Sequence, residues 1–180
     1  MKSSGVTRFA AAVAVVATLL SAGACKWNPA GSFSVDDESQ PPLSVLRLEE
    51  PRADRQLLSG FHQLEQGAWR WTRRSFAVAL QPPPDAAPRG ARLALRFRLT
   101  DSLMSRLRTV TLSASVAHTA LPPETYTKAG DYTYARDVPP AALSKGPVKV
   151  TFTLDHFLKA GEVDRRELGL VVSSVGLVAR

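Results

Sequence analysis

From about residue 60 onward, apolar and polar side chains alternate with a period of two. In Ala91–Leu99 the apolar Leu93, Leu95, Phe97 and Leu99 are interleaved with Arg92, Arg96 and Arg98. Successive side chains of a strand point to opposite faces, so this segment predicts a strand with one face in a core and one in water. The same rhythm puts Val110, Leu112, Ala114 and Val116 inward against Thr111, Ser113 and Ser115, and Val148, Val150, Phe152 and Leu154 inward against Lys149, Thr151 and Thr153. Phe76, Val78 and Leu80 form another inward set, while Tyr132, Tyr134 and Arg136 share one face of a further strand. Trp69 and Trp71 stand in the opposite parity to Phe76, which predicts a turn or bulge within Thr72–Ser75. The almost wholly apolar Leu168–Val178 reads as a central strand covered on both sides.

Proline-rich punctuation separates these runs at Gln81–Pro84, Leu121–Pro123, Pro139–Pro140 and Lys145–Pro147. Proline cannot donate to a ladder, so each cluster is expected to end a strand. Short helical turns are expected at Asp101–Leu107, behind the capping Thr100, and at Pro140–Leu143. About seven or eight strands with scarcely any helix predict an all-β fold, an antiparallel β-sandwich of the jelly-roll type, over residues 60–180.

Residues 25–59 differ. They are rich in proline, serine and charge, and predict a flexible tether after Cys25, with Leu43–Leu48 able to add a short edge strand. Further upstream, Lys2 and Arg8 precede an apolar run, Phe9–Leu20, that falls short of the roughly 20 residues a bilayer crossing needs. Residues 1–24 therefore read as a signal peptide. The segment Ala22-Gly23-Ala24-Cys25 resembles a bacterial lipobox. That resemblance implies cleavage before Cys25, a diacylglycerol on its sulfur and an acylated N-terminus, with palmitate-type chains holding the protein to a membrane. Lys26 follows the cysteine in place of the aspartate that retains enteric lipoproteins in the inner membrane, so an outer-membrane location in the cell envelope is expected. Ala22-x-Ala24 also suits ordinary secretory cleavage, which leaves a secreted form open.

Loss of Lys2 and Arg8 with the leader lowers the formal charge from +7 to +5. No segment pairs clustered cations with stacking aromatics, so nucleic acid is not an expected partner; anionic polymers and lipid head groups are better matched. A single cysteine excludes an intramolecular disulfide, and the core must stabilise the fold unaided.

Candidate chemistry gathers in Gly60–Thr72. Trp69 and Trp71, two apart, share a strand face, and flat indoles with one polar N–H suit stacking against sugar rings, while Arg70 and Glu65 offer directional hydrogen bonds. The alternative is that both indoles plug the core. In Asp164-Arg165-Arg166-Glu167, Arg166 either grips a ligand or belongs to an ion-paired loop locking the last strand to Arg136 or Asp137. The stripe Arg92, Arg96, Arg98 is a solvated face or a site for an anionic glycan or head group. His62, His118 and His156 have no metal-ligand spacing, and no nucleophile elbow or phosphate loop is present. His118, in the parity of inward Val116, is expected to be a satisfied strand-end histidine, and Glu65 to have the option of joining Asp155-His156 across the fold.

Gly60-Phe61-His62-x-x-Glu65 with Trp69-Arg70-Trp71-Thr72, then Tyr132–Pro139 and Asp164–Leu170, resemble a β-sandwich module of bacterial cell-envelope proteins that is also appended to some bacterial glycosyltransferases. The resemblance implies a non-catalytic, carbohydrate-associated module, although no glycosyltransferase domain accompanies it here. The expectation is thus a lipid-anchored envelope protein, not an enzyme and without cofactor or metal, binding glycan through Trp69 and Trp71 with Arg70, Glu65, Arg136 and Arg166 bonding to hydroxyls or acidic groups. A scaffold that receives a protein partner and a secreted glycan-active enzyme are the competing readings.

Overall fold

The structure, a computed structural model, describes residues 40–180. The leader, Cys25 and residues 26–39 of the expected tether lie outside the described residues. Nine strands form: β1 (Val45–Arg47), β2 (Leu57–Glu65), β3 (Trp69–Leu80), β4 (Ala91–Leu99), β5 (Val110–Val116), β6 (Thr119–Tyr126), β7 (Gly130–Val138), β8 (Val148–Leu154) and β9 (Val171–Ala179). Every pairing is antiparallel. One layer runs β6-β5-β8-β3 with β2 on its edge, and the other runs β7-β4-β9-β1. The pairs β1·β9, β3·β8, β4·β7 and β5·β6 nest one inside the next along the chain. That nesting is an antiparallel ribbon rolled on itself, the jelly roll expected from the alternation.

The inward sets meet as the parity predicts. Phe76, Val78 and Leu80 of β3, with Phe152 of β8 and Leu112 of β5 from the same layer, are fully buried, as are Leu93, Leu95, Leu99, Tyr134 and Leu177 of the other layer. Phe76 and Phe152 stack at 4.9 Å. Two short α-helices occur: α1 (Ala86–Arg89) and α2 (Asp101–Leu107), the latter capped by Thr100, whose Oγ1 accepts from the Leu103 N–H at 3.3 Å. Among the described residues, 3-10 turns lie at Pro51–Gln56 and Pro140–Ala142.

Four expectations are corrected. The folded unit begins at Gln40, so residues 40–59 are not tether. Gln56 explains this: its amide bonds the Leu43 N–H at 2.7 Å and the Leu43 and Ala79 carbonyls at 3.0 and 2.6 Å, fastening the segment that leads into β1 to strand β3. The second correction concerns Pro122 and Pro123, which lie inside β6 instead of ending it. β6 is an edge strand with a register irregularity at this point, so the missing donors cost no ladder bond. The third is His118, which is exposed. With Ala117 it forms a two-residue hairpin turn between β5 and β6, and both residues take left-handed backbone, φ +44° and +72°, as a turn of that length favours. The fourth is β9, which is central in its sheet but opens at Val171 and Ser173 to an outer face.

The expected bulge at Thr72–Ser75 sits where β3 changes layers. Arg70 and Trp71 pair with β9, whereas Ser75–Leu80 pair with β8. Gly60 of β2 makes the change possible: its φ is +77°, and a Cβ there would meet the Ser75 carbonyl oxygen at 2.1 Å. Thr72, fully buried, accepts from the Leu170 N–H at 3.0 Å, and its backbone exchanges bonds with residues 169 and 170.

Candidate ligand groove

Strand register assembles the site. Trp71 lies opposite Val171, which lies opposite Arg98, which lies opposite Asp131, so these four form one row across β3-β9-β4-β7. Arg98 is outward by the β4 alternation, and residues facing one another across a ladder share a face. The tryptophans therefore stand on the outer face of the second layer. A neighbouring row carries Trp69, Ser173, Arg96 and Thr133, with Ser173 the extra residue of a bulge where Arg96 pairs Ser174 and Phe97 pairs Val172. Together with Glu65 and Thr100 these rows line a groove of about 750 Å³. Both indoles are half-buried, and Trp71 also packs against the core.

Of the six ligand residues expected from sequence, Trp69, Trp71 and Glu65 line this groove and the arginines lie elsewhere. Arg70 is opposite the inward Val172, and its guanidinium bonds Asp54 at 2.6 Å and the His62 carbonyl at 3.2 Å on the sandwich's inner side. Arg136 spans the ends of the two layers. Its guanidinium donates to the carbonyls of Pro122, Pro123 and Ala135 at 2.9, 3.2 and 2.8 Å, pairs with Glu124 at 2.8 Å and lies 4.5 Å from the Tyr134 ring centroid. The Tyr134 hydroxyl adds a bond to the Pro122 carbonyl at 2.8 Å. Burial pushes the phenols of both Tyr134 and Tyr126 up, so neither ionises in use.

Arg166 stands behind the groove. It bonds Glu65 at 2.6 Å and Asp164 at 3.0 Å, while the Glu167 carboxylate accepts the Arg74 N–H at 2.6 Å and the Glu167 carbonyl meets His62 Nε2 at 2.6 Å. The cluster Asp164–Glu167 thus grips the layer-changing part of β3. The locking partners differ from those expected: Arg136 pairs Glu124, and Asp137 pairs Arg180 at 3.1 Å. Hydrogen bonds from Arg166 hold the Asp164 carboxyl down at about 2, and the same contacts push the guanidinium up. Glu65, engaged with Arg166, does not join Asp155 and His156. Asp155 feels burial pushing its carboxyl up, but hydrogen bonds from Thr111 and His156 outweigh it and leave the carboxyl lowered.

Sequence reasoning found the tryptophan pair and the arginine stripe separately and left them unconnected. Asp131, Thr133, Val171 and Ser173 were missed, and only outward parity on β7 marked the first two. Among the described residues, no group of three His, Cys, Asp or Glu is placed to hold a metal, and no helix is long and apolar enough to cross a membrane.

No family model matches the chain, and no curated protein matches it. Among solved structures, the chain is similar to the CBM36-1 domain of a multidomain xylanase from the hindgut metagenome of Trinervitermes trinervoides, with 7% identity, 76% of this chain and 96% of that one covered, and a TM-score of 0.40. A likeness that slight carries no argument about ligand, and the fold rests on the strand pairing itself.

Proposed function

We propose that this chain is a non-catalytic cell-envelope protein whose jelly roll binds carbohydrate in the outer-face groove. The observation that supports the reading best is the placement of Trp69 and Trp71, neighbours on one strand face, half-buried and bordering a cavity with hydroxyl and charged groups on its other strands. The indoles supply flat apolar area for ring faces, while Arg98, Asp131, Thr133 and Ser173 supply donors and acceptors for ring hydroxyls. A cavity of this volume is within the range of small-ligand sites. Glu65 and Asp131, the acidic side chains lining it, are each matched to an arginine, at 2.6 and 3.2 Å, instead of one sitting in the apolar pocket that a general-acid carboxyl requires. That favours retention of the sugar over its hydrolysis.

The anchor in this reading is a diacylglycerol on Cys25 holding the domain at the outer membrane. Two chains, at about 0.8 kcal/mol per buried CH₂, suffice for lasting attachment. Incorporation of labelled palmitate that disappears in Cys25→Ser supports the anchor, and a Cys25→Ser protein labelled as before contradicts it. For the groove, the purified full-length protein is titrated against a panel of neutral and acidic oligosaccharides beside Trp69→Ala and Trp71→Ala. Each substitution is expected to weaken binding about tenfold, the value of one lost stacking platform. Binding indifferent to both substitutions, or no binding at all, defeats the reading. The competing scaffold reading draws on Leu58, 49% exposed on β2, a strand that pairs only β3 among the described strands.

A further inference from the structure

The charges around the groove do not cancel, and the remainder has a definite address. Four charged side chains line it: Glu65, Arg96, Arg98 and Asp131. Glu65 is neutralised from behind by Arg166 at 2.6 Å. Asp131 is neutralised by Arg98 at 3.2 Å, within the same row as Trp71. Arg96 has no carboxylate partner among the described residues, and it projects from the row that carries Trp69, two strands away from it. Ser173, between those two strands, reaches the Arg96 carbonyl at 3.5 Å and leaves no acidic group there.

From this we infer that the groove selects an anionic glycan, with Arg96 meeting an acidic substituent while a ring rests on Trp69; the inference deepens the carbohydrate reading and depends on it. Adjacent strands lie about 4.8 Å apart, so Arg96 is displaced from Trp69 by about 10 Å. That is a backbone spacing, and the long side chains of Trp69 and Arg96 reach into it from both ends, so the acidic group is carried by the sugar stacked on Trp69 or by the one linked to it. A guanidinium binds carboxylate or phosphate through paired N–H donors, and its charge lies beside a groove whose other charges are already matched. The Arg98–Asp131 pair, exposed and matched in sign, adds donors and acceptors for hydroxyls without net charge.

The test uses the purified full-length protein with three probes: an oligogalacturonate, the same oligosaccharide as its methyl ester, and a phosphorylated oligomannoside. The methyl ester keeps every ring and removes the charge. The expected result is about tenfold tighter binding of at least one charged probe than of the ester, the size of one charge-assisted hydrogen bond partly screened by solvent. Arg96→Gln is expected to abolish that preference, so that charged probe and ester bind alike, and Arg92→Gln, on the same strand but outside the groove, to leave the preference as it was. Raising the salt concentration is expected to narrow the preference. Equal binding of charged and esterified probes overturns the inference and spares the carbohydrate reading. Absence of binding to all three by wild type, when a neutral oligosaccharide of the wider panel does bind, overturns the inference alone, and absence of binding across the whole panel overturns both. A preference that survives Arg96→Gln places the selecting cation elsewhere and overturns the assignment.

Discussion

Replacing Arg136 by alanine separates its role in the fold from the ligand role its sequence suggested. The guanidinium makes three bonds to carbonyls, at 2.8 to 3.2 Å, and an ion pair to Glu124, and its side chain is 22% exposed. It bridges β6 and β7, the terminal strands of the two layers, where no ladder closes the sandwich. A hydrogen bond to a charged group is worth about 1.5–3 kcal/mol when well buried; partial exposure and a shared side chain reduce the set to a total of about 2–3 kcal/mol. For a folded unit of this size that corresponds to a fall in Tm of about 6–10 °C. Arg136→Lys is expected to recover little, since an ammonium cannot reproduce the planar fork that serves Pro122 and Pro123 together. Urea unfolding followed by far-UV circular dichroism measures the loss, with Arg92→Ala as an exposed control expected within about 0.5 kcal/mol of wild type. A loss below about 0.5 kcal/mol in Arg136→Ala, or weakened glycan binding with stability intact, refutes the clamp.

Gln56→Leu is expected to cost about 2–4 kcal/mol by stranding the backbone groups of Leu43 and Ala79, and hydrogen exchange should show residues 43–48 opening before the rest of the sheet. Gly60→Ala should lose at least about 3 kcal/mol, because its methyl would meet backbone at 2.1 Å and its φ is +77°; an urea midpoint within error of wild type contradicts the account of the layer change. Asp155 and Asp164 both have lowered carboxyls in the folded state, so the unfolded chain binds more protons and stability rises with pH. Their contribution is present above about pH 4, the usual carboxylate range, and for Asp164 is lost as pH falls through about 2. Acid titration of Asp164→Asn should show a shallower decline than wild type across that window, and an unchanged slope would contradict it.

Much of the fold was legible because alternation is a local signal. β4, β5 and β8 have the bounds that their apolar parity marks, and α2 has those of its capped segment. The parity conflict between Trp71 and Phe76 located the layer change without revealing it, since the same break suits a bulge, a turn or a crossing. What failed depended on distant partners. Pro122 and Pro123 end a central strand but are tolerated on an edge, and only the sheet order makes β6 an edge. Residues 40–59 looked like tether because their anchors are few and scattered, the buried Leu46, Leu48 and Ala53, a three-residue ladder to β9 and the amide of Gln56, and none of these makes a sustained periodic pattern. The groove needed β3, β9 and β4 side by side, from segments about 30 and 70 residues apart along the chain, so Trp69 and Arg96 could not be joined by any local pattern.

The carbohydrate reading of the groove is tested most directly by nitrogen-15 NMR of the protein titrated with the oligosaccharide that binds best. The account predicts shifts in the indole N–H signals of Trp69 and Trp71 and in the amides of Arg96, Thr133 and Ser173, with β6 and the Leu57–Gly60 part of β2 unmoved. Shifts confined to the β2 edge around Leu58, with both groove indoles unchanged, would contradict it.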